Sequence, residues 1–109
     1  MTINSRQKGK AGELELAAVL REAGFDSKRG QQFHGGADSP DVTGIPGVHI
    51  EAKRVESGNL YNWLDQACAD AGPASLPLVC HRRNRREWVA ILRLSDFIKV
   101  FKGGQSNEQ

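Results

Sequence analysis

A chain of 109 residues is the size of one small domain, and 39% hydrophobic against 26% charged residues leaves material for a modest core only. A net charge of +2 and a pI near 8.7 are too mild to name a partner by themselves. Two cysteines, Cys68 and Cys80, exclude a disulfide scaffold and form no CxxC pair, so both are expected reduced and mostly buried. Met1 to Gly12 is polar and basic with no apolar run, and no stretch reaches the length of a membrane span. A cytoplasmic protein with no membrane partner is expected, in a prokaryotic or phage-infected cell.

The first periodic segment runs from about Ser5 to Ala23. Leu16, Val19, Leu20 and Ala23 follow helical spacing, with Leu14, Ala17 and Ala18 beside them, and Gly24 suits the position just past a helix end. Glu15 and Glu22 fall on the solvent side. Glu13 falls on the inward stripe with Leu16, Ala17 and Leu20, where a carboxylate needs a partner or a metal. Gly9 and Gly12 beside it point to close approach of a second backbone or a ligand. From Asp26 to Phe33 the pattern fits an edge strand carrying Lys28 and Arg29, followed by a glycine-rich loop from His34 to Ser39.

The next stretch carries the chemistry. Val48, Ile50 and Ala52 alternate with His49, Glu51 and Lys53, the period of a half-buried strand. Glu51 and Lys53 therefore share a face. Asp41 comes from the preceding strand, turned back through Gly44-Ile45-Pro46-Gly47. Two carboxylates side by side repel unless a cation lies between them. Hard oxygen donors suit Mg²⁺ or Mn²⁺, and an adjacent lysine completes a site able to cleave phosphodiesters. His34, His49 and His81 lack the spacing of a zinc site, although His49 faces the same side as Glu51.

A second helix is expected from Ser57 or Asn59, with Leu60, Leu64, Ala67, Cys68 and Ala71 as its apolar face and Gly72-Pro73 as its stop. Gln66 lies on another face and is a candidate for holding a water or a phosphate. Leu76–His81 and Glu87–Arg93 read as strands around a tip, Arg82-Arg83-Asn84-Arg85-Arg86. Trp88 is expected in the core, with Trp63 open. A last helix starts at Ser95 and ends at Gly103-Gly104. The order is α-β-β-β-α-β-β-α, an α/β or α+β fold with a mixed sheet, one domain over 1–102 and a disordered tail over 103–109. Arg6, Lys8 and Lys10 near the start, together with Arg29, Arg54, Arg82, Arg83, Arg85 and Arg86, are candidates for phosphate contact, which gives salt-sensitive binding.

Pro40-Asp41, then Glu51-Ala52-Lys53 ten residues on, resembles the PD-(D/E)XK nuclease signature. The surrounding elements resemble the restriction-endonuclease-like αβββαβ core of that superfamily. Lys8-Gly9-Lys10-Ala11-Gly12-Glu13 is similar to the start of the first helix in archaeal-type Holliday junction resolvases, including phage-borne ones, and the resemblance spans roughly Arg6 to Leu92. It implies a homodimeric, Mg²⁺- or Mn²⁺-dependent endonuclease acting on branched DNA, with Asp41 and Glu51 as ligands, Glu13 as a further ligand and Lys53 as the catalytic lysine. Resolvases of this type carry a serine in the loop after the first strand; here only Ser39 offers a hydroxyl. Two alternatives keep the fold. One is a phage or mobile-element nuclease for flaps, ends or duplex, and the other is a DNA-binding protein without cleavage.

Overall fold

The computed structural model describes residues 5–30 and 39–106. Its elements are α1 (Ser5–Glu22), β1 (Lys28–Arg29), β2 (Val42–Thr43), β3 (Val48–Arg54), α2 (Leu60–Ala71), β4 (Leu76–Arg82), β5 (Val89–Ile91) and α3 (Leu94–Ser106). They build an α+β domain around one five-stranded sheet in the order β1-β2-β3-β4-β5. β3 and β4 are parallel and every other neighbouring pair is antiparallel. Parallel neighbours need a long crossover, and α2 supplies it. No helix among the described residues is long and apolar enough to cross a membrane.

α1 packs on β1, β2 and β3, whereas α2 packs on β3 and β4. The side chains show that the two helices take opposite faces. Leu16 and Ala17 of α1 share a core with Val42, Ile50 and Cys80, and Leu20, Ile45, Val48, Ala52, Leu78 and Trp88 pack around it. Across the sheet, the Trp63 ring of α2 lies 4.8 Å from that of His81, which donates from Nε2 to the Val55 carbonyl at 2.9 Å. Alternate residues of β3 and β4 thus serve different helices, as the pleat requires. Burying Ile50 completely contributes about 2–3 kcal/mol.

α1 ends where Gly24 turns to φ +103°, and Phe25 N–H reaches back to the Leu20 carbonyl at 3.1 Å. Leu14 and Val19, expected inward, are 48% and 42% exposed. The inward stripe of Glu13, Leu16, Ala17 and Leu20 leaves each of them about 110° off its centre, on the helix flanks. Glu15, expected on the solvent side, instead pairs with Arg82 and Arg54. Gly12 accounts for one close approach: a Cβ there would lie 2.5 Å from Arg54 Cβ, so the glycine lets α1 rest on β3. Gly9 has nothing within 4 Å.

The edge strand expected over 26–33 is two residues long, β1, and residues 31–38, with the glycine-rich loop, lie outside the described residues. α2 begins as expected at Asn59, whose side chain accepts from Asn62 N–H at 3.1 Å, and it stops at Gly72. Leu60, expected on its apolar face, is 45% exposed at the first helical position. β4 runs one residue further than expected, and β5 is shorter than 87–93. α3 overturns the stop set at Gly103-Gly104, because it continues to Ser106. Neither glycine takes a positive φ, and a helical glycine lowers stability without itself ending the helix. Cys80 is buried, Cys68 is partly buried, and both are free thiols. Burial pushes the Cys80 thiol up to about 11.

Candidate metal centre

The centre forms where β3 is covered on its polar face and β2 ends. Val42 of β2 pairs with Ile50, and Pro40, two residues before Val42, has no N–H with which to extend the ladder. Ala52 N–H is left without a ladder partner and donates to Asp41 Oδ2 at 2.9 Å. Asp41 N–H donates to the Ile50 carbonyl at 2.9 Å, and Gly30 N–H donates to the Asp41 carbonyl at 2.8 Å. Asp41 is thus held by backbone on both sides. Gly30 is needed for this, since a Cβ there would fall 2.0 Å from the Pro40 carbonyl oxygen.

Glu51 lies beside Asp41 and is only 8% exposed. Its carboxyl is pushed up to about 9, first by burial, then by the negative charge of Asp41 and by hydrogen bonds shared with Asp70 and Asp41. Asp70 comes from the last turn of α2, where Gln66 Nε2 donates to its Oδ1 at 3.0 Å. His49, two residues before Glu51 on the same face, is 5% exposed. Its Nε2 lies 3.6 Å from Glu51 Oε1 and has no hydrogen-bond partner among the described residues. One donor atom each from His49, Glu51 and Asp70 falls within 4.8 Å of the other two.

Glu13 stands at the far end of this acidic row, next to Asp41. Arg29 Nε donates to Glu13 Oε1 at 2.6 Å. Burial nonetheless holds the Glu13 carboxyl above its usual range, and the charge of Asp41 adds to that rise. Of the ligands expected from the sequence, Glu51 belongs to the close three-donor group. Asp41 adjoins it through Glu51, and Glu13 adjoins Asp41. Lys53 follows Glu51 on the same face, half-buried and in register with His81. Gln66 is exposed and spends its amide on Asp70.

Three of the expected phosphate contacts are engaged within the protein. Arg29 holds Glu13. Arg54 lies 3.7 Å from both Glu15 and Glu56 and donates to Asn84 Oδ1 at 3.1 Å. Arg82 pairs with Glu15 and with the Arg86 carbonyl. Arg83, Arg85 and Arg86 are exposed on the β4–β5 hairpin, and Lys10 is exposed on α1. Arg6 and Lys8 lie in the α1 backbone, and their side chains are outside the described residues.

Asp70 is the residue that sequence reasoning missed. Its position one turn beyond Ala67, the buried residue of α2, hints that it lies toward the sheet but does not say what it meets there. The donors fit a cation, since the row is rich in carboxylate oxygen, it is buried enough to raise Glu51, and it includes an imidazole nitrogen with no bond of its own. The fold and site together define a small α+β domain with a buried acidic centre. No protein-family model, curated protein or solved structure matches the chain.

Proposed function

We propose that the chain is a metal-dependent endonuclease of the PD-(D/E)XK type, cutting phosphodiester bonds in branched DNA and four-way junctions in particular. The observation that carries this reading is the Asp41–Ala52 hydrogen bond, which puts Asp41 against Glu51, two residues before Lys53 on the same strand. The order of helix, three strands, helix and strand, with the crossover helix between parallel β3 and β4, is similar to the core of that superfamily.

In this reading Asp41 and Glu51 would hold Mg²⁺ or Mn²⁺ with help from the Ala52 carbonyl, and Glu13 would be a further ligand, direct or through water. When bound, the cation polarises the scissile phosphate and acidifies a water. Lys53 would take a proton from the attacking water only as the neutral amine; as the ammonium it would orient the water or neutralise charge on the phosphate oxygens. The exposed arginines at 83, 85 and 86 follow Lys53's neighbours at the same end of the parallel pair and meet phosphates, not bases. A four-way junction is cut at two strands, so the reading requires two centres and therefore a homodimer.

The test is incubation with end-labelled four-way junction, flap and linear duplex, in Mg²⁺ or in EDTA, beside Asp41→Asn. Paired nicks on the junction are expected, and both EDTA and the substitution should abolish them. Cutting confined to flaps or duplex would keep the enzyme and replace its substrate. DNA binding with no cutting in either Mg²⁺ or Mn²⁺ would overturn the proposal.

A further inference from the structure

We propose that His49, Glu51 and Asp70 form a site for a divalent first-row transition-metal ion, Zn²⁺ or Mn²⁺, on the α2 side of Glu51. The reading above assigns no role to His49 or Asp70. The inference depends on that reading only in sharing Glu51.

His49 Nε2 is buried without a hydrogen-bond partner among the described residues. Such a ring nitrogen, in a residue 5% exposed, loses its interaction with water and gains nothing visible in return. It faces Glu51 at 3.6 Å. Two donors on one ion, at bond lengths of about 2.0–2.2 Å, lie roughly 3–3.5 Å apart, so this pair already approaches the separation a shared ion sets. Asp70 brings a third donor within the same 4.8 Å group, from a different element. Gln66, one turn earlier, fixes its carboxylate by donating to Oδ1, as groups behind metal ligands do.

The donor set decides the kind of ion. Imidazole nitrogen with two carboxylates suits Zn²⁺, Mn²⁺ or Fe²⁺, whereas Mg²⁺ prefers oxygen and keeps its waters. Glu51, hydrogen-bonded to both Asp41 and Asp70, stands between the oxygen side and the nitrogen side. The site therefore distinguishes metals: Asp41 with Glu51 for a hard ion, His49 with Asp70 for a borderline one.

The test uses the whole chain without DNA. Wild-type protein with ¹⁵N-labelled histidine is titrated with ZnCl₂, and the three histidines are told apart by single substitution. The His49 ring resonance should shift in slow or intermediate exchange with one equivalent, and MgCl₂ should leave it in place. Calorimetry should show His49→Gln and Asp70→Asn each weakening Zn²⁺ by about tenfold or more, with the Mg²⁺ affinity of His49→Gln unchanged. Histidine ring resonances that are all indifferent to millimolar Zn²⁺ and Mn²⁺ in the wild-type protein overturn the inference, and this observation needs no variant to fold. Cleavage is read separately. His49→Gln that loses Zn²⁺ but cuts in Mg²⁺ supports both proposals, and wild type that binds Zn²⁺ yet never cuts sinks only the nuclease.

Discussion

Ile50 and Glu51 are adjacent on β3, 0% and 8% exposed, and they face opposite helices. Toward α1 the strand presents Val48, Ile50 and Ala52 to a cluster of apolar side chains, at whose margin the Trp88 indole N–H is the buried polar atom without a partner. Toward α2 it presents buried His49 and Glu51 to Asp70, with half-buried Lys53 next along the same face. One face gains stability from burial. The other spends it, holding carboxylates together and an imidazole nitrogen without a hydrogen bond. The two faces of one strand thus differ in what their burial costs: the polar face gathers His49, Glu51 and Asp70 into a group that could hold a metal ion.

The comparison is broken most directly at its polar end. Lys53→Ala should lower junction cleavage on the order of 10²–10⁴-fold, the range for loss of a positioned proton-transfer group, while DNA binding in EDTA and the melting temperature change little. Gel-shift and cleavage assays on one preparation check this. Equal loss of binding and cutting would make Lys53 an ordinary phosphate contact. On the apolar face the opposite pattern is expected. Ile50→Ala should cost about 2–5 kcal/mol in chemical denaturation, because it empties a fully buried site, and its activity should recover when temperature is lowered enough to refold it.

The apolar face was the more legible of the two. Alternation from Val48 to Lys53 marked the strand and both of its faces, and Asn59 and Gly72 marked the bounds of α2. Helical spacing also placed Glu13 inward. It failed for Leu14 and Val19, because spacing tells which residues can face a neighbour and not how wide that neighbour is. Asp70 was out of reach for a related reason. Its place depends on α2 running back across β3 so that its last turn meets His49, a tertiary fact that no local pattern encodes. Gly12 was read as room for a backbone or ligand, and the room is filled by Arg54. The α3 glycines were read as a stop because glycine often ends helices, yet a stop needs the positive φ that neither adopts.

A change of pH tests whether the polar face stores the repulsion attributed to it. In the folded, metal-free protein Glu51 holds its proton up to about pH 9, whereas in the unfolded chain it returns to the ordinary value near 4.5. Between those limits the folded state binds more protons, so stability falls as pH rises, by at most about 1.4 kcal/mol per pH unit from this group. The contribution is complete below about 4.5 and is lost as pH climbs toward 9. Urea denaturation in EDTA from pH 5.5 to 8.5 should show that decline, and Glu51→Gln should flatten it, since an amide does not titrate. Glu51 interacts with Asp41 and Asp70, so the difference between the two curves reports that carboxylate group as a unit. Saturating Mn²⁺ should flatten the wild-type curve as well, because a bound cation favours the carboxylate form and expels the proton. If wild type and Glu51→Gln decline in parallel, the acids of this face carry no stored repulsion, and the contrast with Ile50 reduces to polarity alone.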